Sequence, residues 1–129
     1  MKPDDSPTLS MALVAHDQMK DTMIEWVTKH RDLLAGFELF GTGTTGGRIA
    51  EETSLDIKRL KSGPLGGDAQ IGAMIAENRL DVLVFFTDPL SAMPHDVDVK
   101  SLLRLATLYN TALAINEKSA TLLLSALRT

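Results

Sequence analysis

The sequence predicts an α/β domain of three layers, α/β/α, built around a five-stranded, mainly parallel, doubly wound sheet. Three observations carry that expectation. Five short strand-like segments alternate with five segments of helical period, the order that produces a parallel sheet covered on both faces. Residues 11–15 (MALVA) and 81–86 (DVLVFF) are nearly unbroken apolar runs, as expected of strands buried on both sides. The polar clusters of unusual composition follow strands, and in open sheets of this kind ligands sit beyond the carboxyl ends of the strands, near a topological switch point.

The elements follow in order. After the run 11–15 comes His16-Asp17, with Asp17 placed to cap a helix whose apolar positions Met19, Met23, Trp26 and Val27, together with His30, share one face. That helix is expected to run to about Ala35 and stop at Gly36. Residues 37–40 form a second strand, followed by the loop Gly41-Thr42-Gly43-Thr44-Thr45-Gly46-Gly47 and a helix over 48–53. A short strand lies near 56–60, and the loop Ser62-Gly63-Pro64-Leu65-Gly66-Gly67-Asp68 leads into a helix over 69–78. The strand 81–86 precedes a loop over 87–96 and a helix over 97–109, with Leu102, Leu103, Ala106 and Thr107 inward. A last strand at 112–115 and a last helix at 118–127 complete the chain.

At 129 residues, 44% hydrophobic and 23% charged, the chain suits one domain with one real core. Residues 1–10 read as a disordered lead-in, polar and with two prolines, and 11–129 as the single domain. The absence of Cys removes disulfides, a thiolate zinc site and a cysteine nucleophile, and fits a cytoplasmic protein. A net charge of −4 argues against nucleic acid as partner. Neither an apolar run of membrane-spanning length nor a signal-peptide pattern is present.

Four clusters carry candidate chemistry. Three glycines and a proline between residues 63 and 67 give a backbone that brings N–H groups close to a ligand and ends on one carboxylate, Asp68, the candidate general base. The Thr-rich loop matches G-x-G-x-x-G, yet it follows the second strand instead of the first, and no acidic residue closes a following strand at the required distance. Three hydroxyls at a helix N-terminus suit a phosphate monoester better; the plainer alternative is a strand-to-helix turn capped by Thr. His16 and Lys20, four apart, share a helical face from which Lys20 reaches a phosphate as a point charge. In Pro94-His95-Asp96-Val97-Asp98, one Asp reads as a helix cap, whereas His95 at a helix entrance suits a neutral imidazole that polarises a carbonyl. An Asp base with a neutral His is the pair that enolisation of a ketose phosphate requires.

These stretches resemble the methylglyoxal synthase family. Val14-Ala15-His16-Asp17, Thr42-Gly43-Thr44-Thr45-Gly46, Ser62 through Asp68, Phe85-Phe86, Asp88-Pro89-Leu90, Pro94-His95-Asp96 and Leu102-Leu103-Arg104-Leu105 stand in the family's order, over about residues 11–127. The resemblance implies a flavodoxin-like architecture and a lyase that converts dihydroxyacetone phosphate to methylglyoxal and inorganic phosphate, a glycolytic bypass, with no metal or organic cofactor. It implies Asp68 as base, His95 on the enediolate oxygens, Asp98 in the active site and Asp88 near it. Substrate and phosphate contacts carry over to His16, Lys20, Thr42, Gly43, Thr44, Thr45, Ser62 and Gly63. It further implies a homohexamer inhibited allosterically by phosphate. Ala69 departs from the family, where Gln is frequent, and the chain stops at Thr129 where some relatives continue. A regulatory module of the same fold that binds a phosphorylated ligand without turnover is the second reading, and a nucleotide-phosphate binder of flavodoxin-like architecture the third.

Overall fold

Strand β1 (Ser10–Ala15) is the middle of the sheet, and every one of its residues is buried. The computed structural model describes residues 8–62, 65–90 and 99–127. From β1 the chain passes through a 3-10 turn (Asp17–Met19), α1 (Lys20–Lys29) and α2 (Arg31–Leu34) to β2 (Glu38–Thr42). It continues through α3 (Gly43–Thr53), β3 (Ile57–Leu60) and α4 (Gly67–Ala76) to β4 (Val82–Phe86). Helix α5 (Val99–Leu108), β5 (Ala112–Ala114) and α6 (Glu117–Leu127) follow. The strand order is β3-β2-β1-β4-β5 and every pairing is parallel. The expected α/β class is therefore observed, with all strands in one direction.

Period-two alternation in β1 divides the core. Met11, Leu13 and Ala15 face the layer that contributes Met23, Trp26, Val27, Ile49, Ala120 and Leu124. Ala12 and Val14 face the other layer, with Ile71, Met74, Ile75, Leu102 and Ala106. Helices α1, α3 and α6 thus cover one face and α4 and α5 the other, so a strand such as β4, buried at all five positions, has no polar side to offer. Strands β1 and β4 are latched at their amino ends: the Ser10 amide donates to Asp81 Oδ2 (2.8 Å), and the Asp81 amide donates to Ser10 Oγ (3.0 Å).

Four local expectations are corrected. Asp17 does not cap α1; it lies in the 3-10 turn, exposed, and pairs with Lys20 Nζ at 2.9 Å. The helix expected to run to Ala35 breaks at His30, which leaves helical geometry (φ −110°, ψ 20°). The restart lets Arg31 Nε donate to the Thr53 carbonyl at the end of α3 while Leu34 turns into the core. Helix α3 begins at Gly43 and not at Arg48, so the Thr-rich loop is itself the first turn. Gly41 and Gly46 are there because α3 lies directly on β2: a Cβ on Gly46 would stand 2.7 Å from the Gly41 carbonyl oxygen. In α5, Leu102 and Ala106 are buried as expected, but Leu103 is half-buried outside both core clusters and Thr107 is exposed; Val99 and Leu105 complete the inner face.

His30, 5.1 Å from Trp26 between ring centroids, is held below the ordinary imidazole value of 6.5 by burial and then by Lys29, with Glu117 opposing. The unfolded chain therefore takes up this proton at a higher pH than the folded one. The contribution is present above pH 6.5 and is lost as pH falls through the lowered folded value. The expected result is that replacing His30 by Gln flattens the acid side of a plot of unfolding temperature against pH. Identical slopes in both proteins below pH ~6.5 would refute it.

Candidate active site

Because all strands are parallel, their carboxyl ends lie along one edge, and the strand order reverses between β1 and β4. Connections from β1 lead toward β3 and the connection from β4 leads toward β5, which leaves a crevice where β1 and β4 end. His16 and Asp88 meet there. The His16 amide donates to the Phe86 carbonyl (3.1 Å), and its imidazole packs edge-on to Phe85. Its Nδ1 accepts the backbone N–H of Asp88 at 2.8 Å. A backbone N–H only donates, so Nδ1 carries the lone pair and a neutral ring holds its proton on Nε2, fixed as a donor. With 8% of its surface accessible, His16 is buried, and this bond accounts for its burial.

Lys20 opens α1 with its side chain 25% exposed and its ammonium on Asp17. The first turn of α1 is tied to the second turn of α3, since Arg48 Nη1 reaches Asp21 Oδ1 at 2.8 Å. Thr42 ends β2, buried and extended (φ −81°, ψ 138°), in the N-cap position of α3 with no side-chain cap bond. The expected alternative, a turn capped by Thr, is therefore not what the structure shows. The leading amides of α3 have no intrahelical acceptor, which is the arrangement that receives an anion. Thr45 is buried and Thr44 exposed on that turn.

Ser62 follows β3 and touches this turn. Gly43 has φ +43°, and a Cβ there would lie 2.8 Å from Ser62 Cβ, so only glycine lets the two loops meet. Ser62 also accepts through its carbonyl from the amides of Leu65 (3.0 Å) and Gly67 (2.8 Å). Asp68 is the second residue of α4, half-buried, where the helix dipole complements a carboxylate. Its Oδ1 accepts from the Ala69 amide (2.8 Å), and Oδ2 is engaged in no hydrogen bond among the described residues. Asp88 is half-buried, its Oδ1 accepting from the Leu90 amide at 3.0 Å.

Of the sequence-derived site, His16, Lys20, Thr42, Gly43, Thr44, Thr45, Ser62, Asp68 and Asp88 all stand at the carboxyl edge. The Thr turn and the Ser62 loop are in direct contact, as are His16 and Asp88. Gly63, His95 and Asp98 lie outside the described residues. Sequence reasoning missed Arg59, whose Nη2 donates to the Gly43 carbonyl (3.3 Å). The signal that finds it is the parallel register, which sets Arg59 opposite Gly41, one strand from the Thr turn.

Residues 22–115 match the model of the MGS-like domain family. Among curated proteins, the chain is 58% identical over 111 residues to the methylglyoxal synthase of Agrobacterium fabrum, covering 85% of this chain and 87% of the relative. It is 54% identical over 115 residues to that of Leptospira interrogans, covering 89% and 78%. Among solved structures, the crystal structure of methylglyoxal synthase from Elizabethkingia anophelis superposes with a TM-score of 0.88 at 47% identity. That match covers 92% of this chain and 78% of the solved one.

Proposed function

The chain belongs to the methylglyoxal synthase-like family, and from that premise we infer an enzyme, a lyase that converts dihydroxyacetone phosphate to methylglyoxal and inorganic phosphate. The observation that carries the reading at the level of geometry is the contact of Gly43 with Ser62. It makes one frame of an anion-receiving helix turn and the loop that delivers Asp68.

The reaction needs a base and a held leaving group. Asp68 removes a proton from the carbon beside the substrate carbonyl, which gives an enediolate. Donors must face the enediolate oxygens, because charge develops there. His16, whose neutral form presents Nε2–H, and His95, which the family resemblance assigns to this work, supply them. The phosphate is received by the leading amides of α3, the hydroxyls of Thr42, Thr44 and Thr45, Ser62 with Gly63, and the Lys20 ammonium. Asp88 keeps His16 in place, and Asp98 belongs to the site by resemblance.

An enediolate of this kind has two fates, reprotonation or loss of phosphate. Loss wins when the bridging C–O bond stands perpendicular to the enediolate plane and overlaps its π system. Gripping the phosphate by several donors on one rigid turn therefore selects the product as well as binding the substrate. Nothing in these steps calls for a cofactor beyond the side chains named.

The finer properties rest on family resemblance: a homohexamer, inhibited allosterically by phosphate. Leu108, Leu122 and Ile115, exposed on α5, on α6 and just after β5, support association. A cytoplasmic location agrees with a triose phosphate substrate, which is charged and does not cross a membrane unaided. Incubation of the purified protein with dihydroxyacetone phosphate should release methylglyoxal and phosphate in equal amounts. Binding without phosphate release would favour the regulatory-module reading.

A further inference from the structure

Arg59 is an exposed residue of the edge strand β3, yet its guanidinium lies against the backbone of α3. Nη2 donates to the Gly43 carbonyl at 3.3 Å, at the first residue of the helix. The head group fills the space that a side chain at position 47 would take: a Cβ on Gly47 would stand 2.9 Å from both Cζ and Nη2 of Arg59. The glycine thus makes the slot in which the guanidinium rests.

The surrounding charges make the placement unusual. Lys20 is paired with Asp17, Lys58 with Glu38, and Arg48 with both Asp21 and Glu52. Arg59 has no carboxylate partner among the described residues; a neutral carbonyl is its acceptor. A cation at the N-terminus of a helix also has the wrong sign for the helix dipole, which favours anions there. An unpaired cation held at that end works against the free protein and becomes favourable once an anion occupies the turn.

We infer that Arg59 is a positioning residue of the phosphate turn: it fixes Gly43, and with it the leading amides of α3, and supplies uncompensated positive charge to the substrate phosphate, with Gly47 as the gap that admits it. The inference rests on the reading of residues 42–45 as the phosphate site. Arg59 acts from behind the turn and not on the reacting carbons, so it should govern binding more than the chemical step.

The test uses the full-length protein and variants Arg59→Gln, Arg59→Lys, Gly47→Ala, Gly47→Ala with Arg59→Gln, and Thr44→Ala. Each is measured for kcat and KM with dihydroxyacetone phosphate, Kd for inorganic phosphate, and urea unfolding without phosphate. Arg59→Gln should raise KM and the phosphate Kd about three- to tenfold, the worth of a modest charge-assisted contact, with kcat changed less than about twofold. It should not lower the unfolding midpoint, and Arg59→Lys should restore most of the affinity. Gly47→Ala should weaken phosphate binding when Arg59 is present and add little when it is Gln. Unchanged phosphate affinity in Arg59→Gln, additive effects of the two substitutions, or a loss confined to stability would each overturn the inference. If Thr44→Ala weakens phosphate binding and Arg59→Gln does not, the inference alone fails. If neither changes it, the phosphate-turn reading fails as well.

Discussion

Replacing Asp68 by Asn should leave a folded protein that binds phosphate and turns over almost no substrate. The exchange is isosteric, and an Asn Oδ1 still accepts the Ala69 amide that Asp68 accepts at 2.8 Å, so the start of α4 has no reason to shift. What disappears is the capacity to take a proton. A positioned general base contributes about 10²–10⁴-fold, and kcat should fall by at least that order. The phosphate Kd should stay within about twofold, because the donors proposed for the phosphate are on α3 and at Ser62, away from the Asp68 carboxylate. Steady-state kinetics alongside calorimetric titration with inorganic phosphate reads both quantities. Near-normal turnover in the Asn variant would end the assignment of Asp68 as base.

Gly67→Ala should damage stability and turnover together. The added Cβ would sit 2.0 Å from the Lys61 carbonyl oxygen, 3.0 Å from the Lys61 carbonyl carbon and 3.1 Å from the Ser62 carbonyl carbon. All three are backbone atoms, so no rotamer change relieves the clash, and the Gly67 amide is meanwhile bonded to the Ser62 carbonyl at 2.8 Å. The chain at 61–62 has to move away from α4. Overpacking of this kind costs about 1–3 kcal/mol, and a displacement of about 1 Å between Ser62 and Asp68 is worth about 10² in rate. Gly72→Ala on the same helix is the control, since its Cβ would meet only the flexible end of Leu105 at 3.1 Å. Urea midpoints and kcat/KM should drop for the first substitution and hardly change for the second. Equal behaviour of the two would mean that the approach of Gly67 to Lys61 has no role.

The sequence was readable where one physical cause dominated. Runs such as MALVA and VLVFF have no polar face, so burial on both sides of a parallel sheet follows from the letters. The site edge followed from topology, because the unusual polar residues come after strands. What was illegible depended on backbone approach between distant segments. A Gly-Thr-Gly-Thr-Thr stretch reads as loop by propensity, yet its glycines allow α3 to lie on β2 and Gly43 to meet Ser62. The tautomer of His16 depends on an amide 72 residues away. Arg59 looked like one more surface cation, since nothing in its neighbours along the chain shows that it rests on Gly47. His95 and Asp98, expected from the Pro-His-Asp motif, lie outside the described residues.

The order of the strands also has a bearing on how the protein is made. The central strand, β1, is the first to leave the ribosome, but its second neighbour, β4, comes from far along the chain, and the latches Ser10–Asp81 and His16–Asp88 span 71 and 72 residues. On the face of Ala12 and Val14 only Phe40 and Leu60 of the neighbouring strands come early; the helical layer that covers it, with Ile71, Met74 and Leu102, is synthesised later. At roughly 5–20 residues per second, the wait for the His16 partner lasts about 4–15 seconds. A nascent chain ending after β3 therefore already holds the Thr turn but carries a bare apolar sheet face. Exposed apolar surface of that kind favours association while it lasts, and the crevice between β1 and β4 cannot form before β4 has been made.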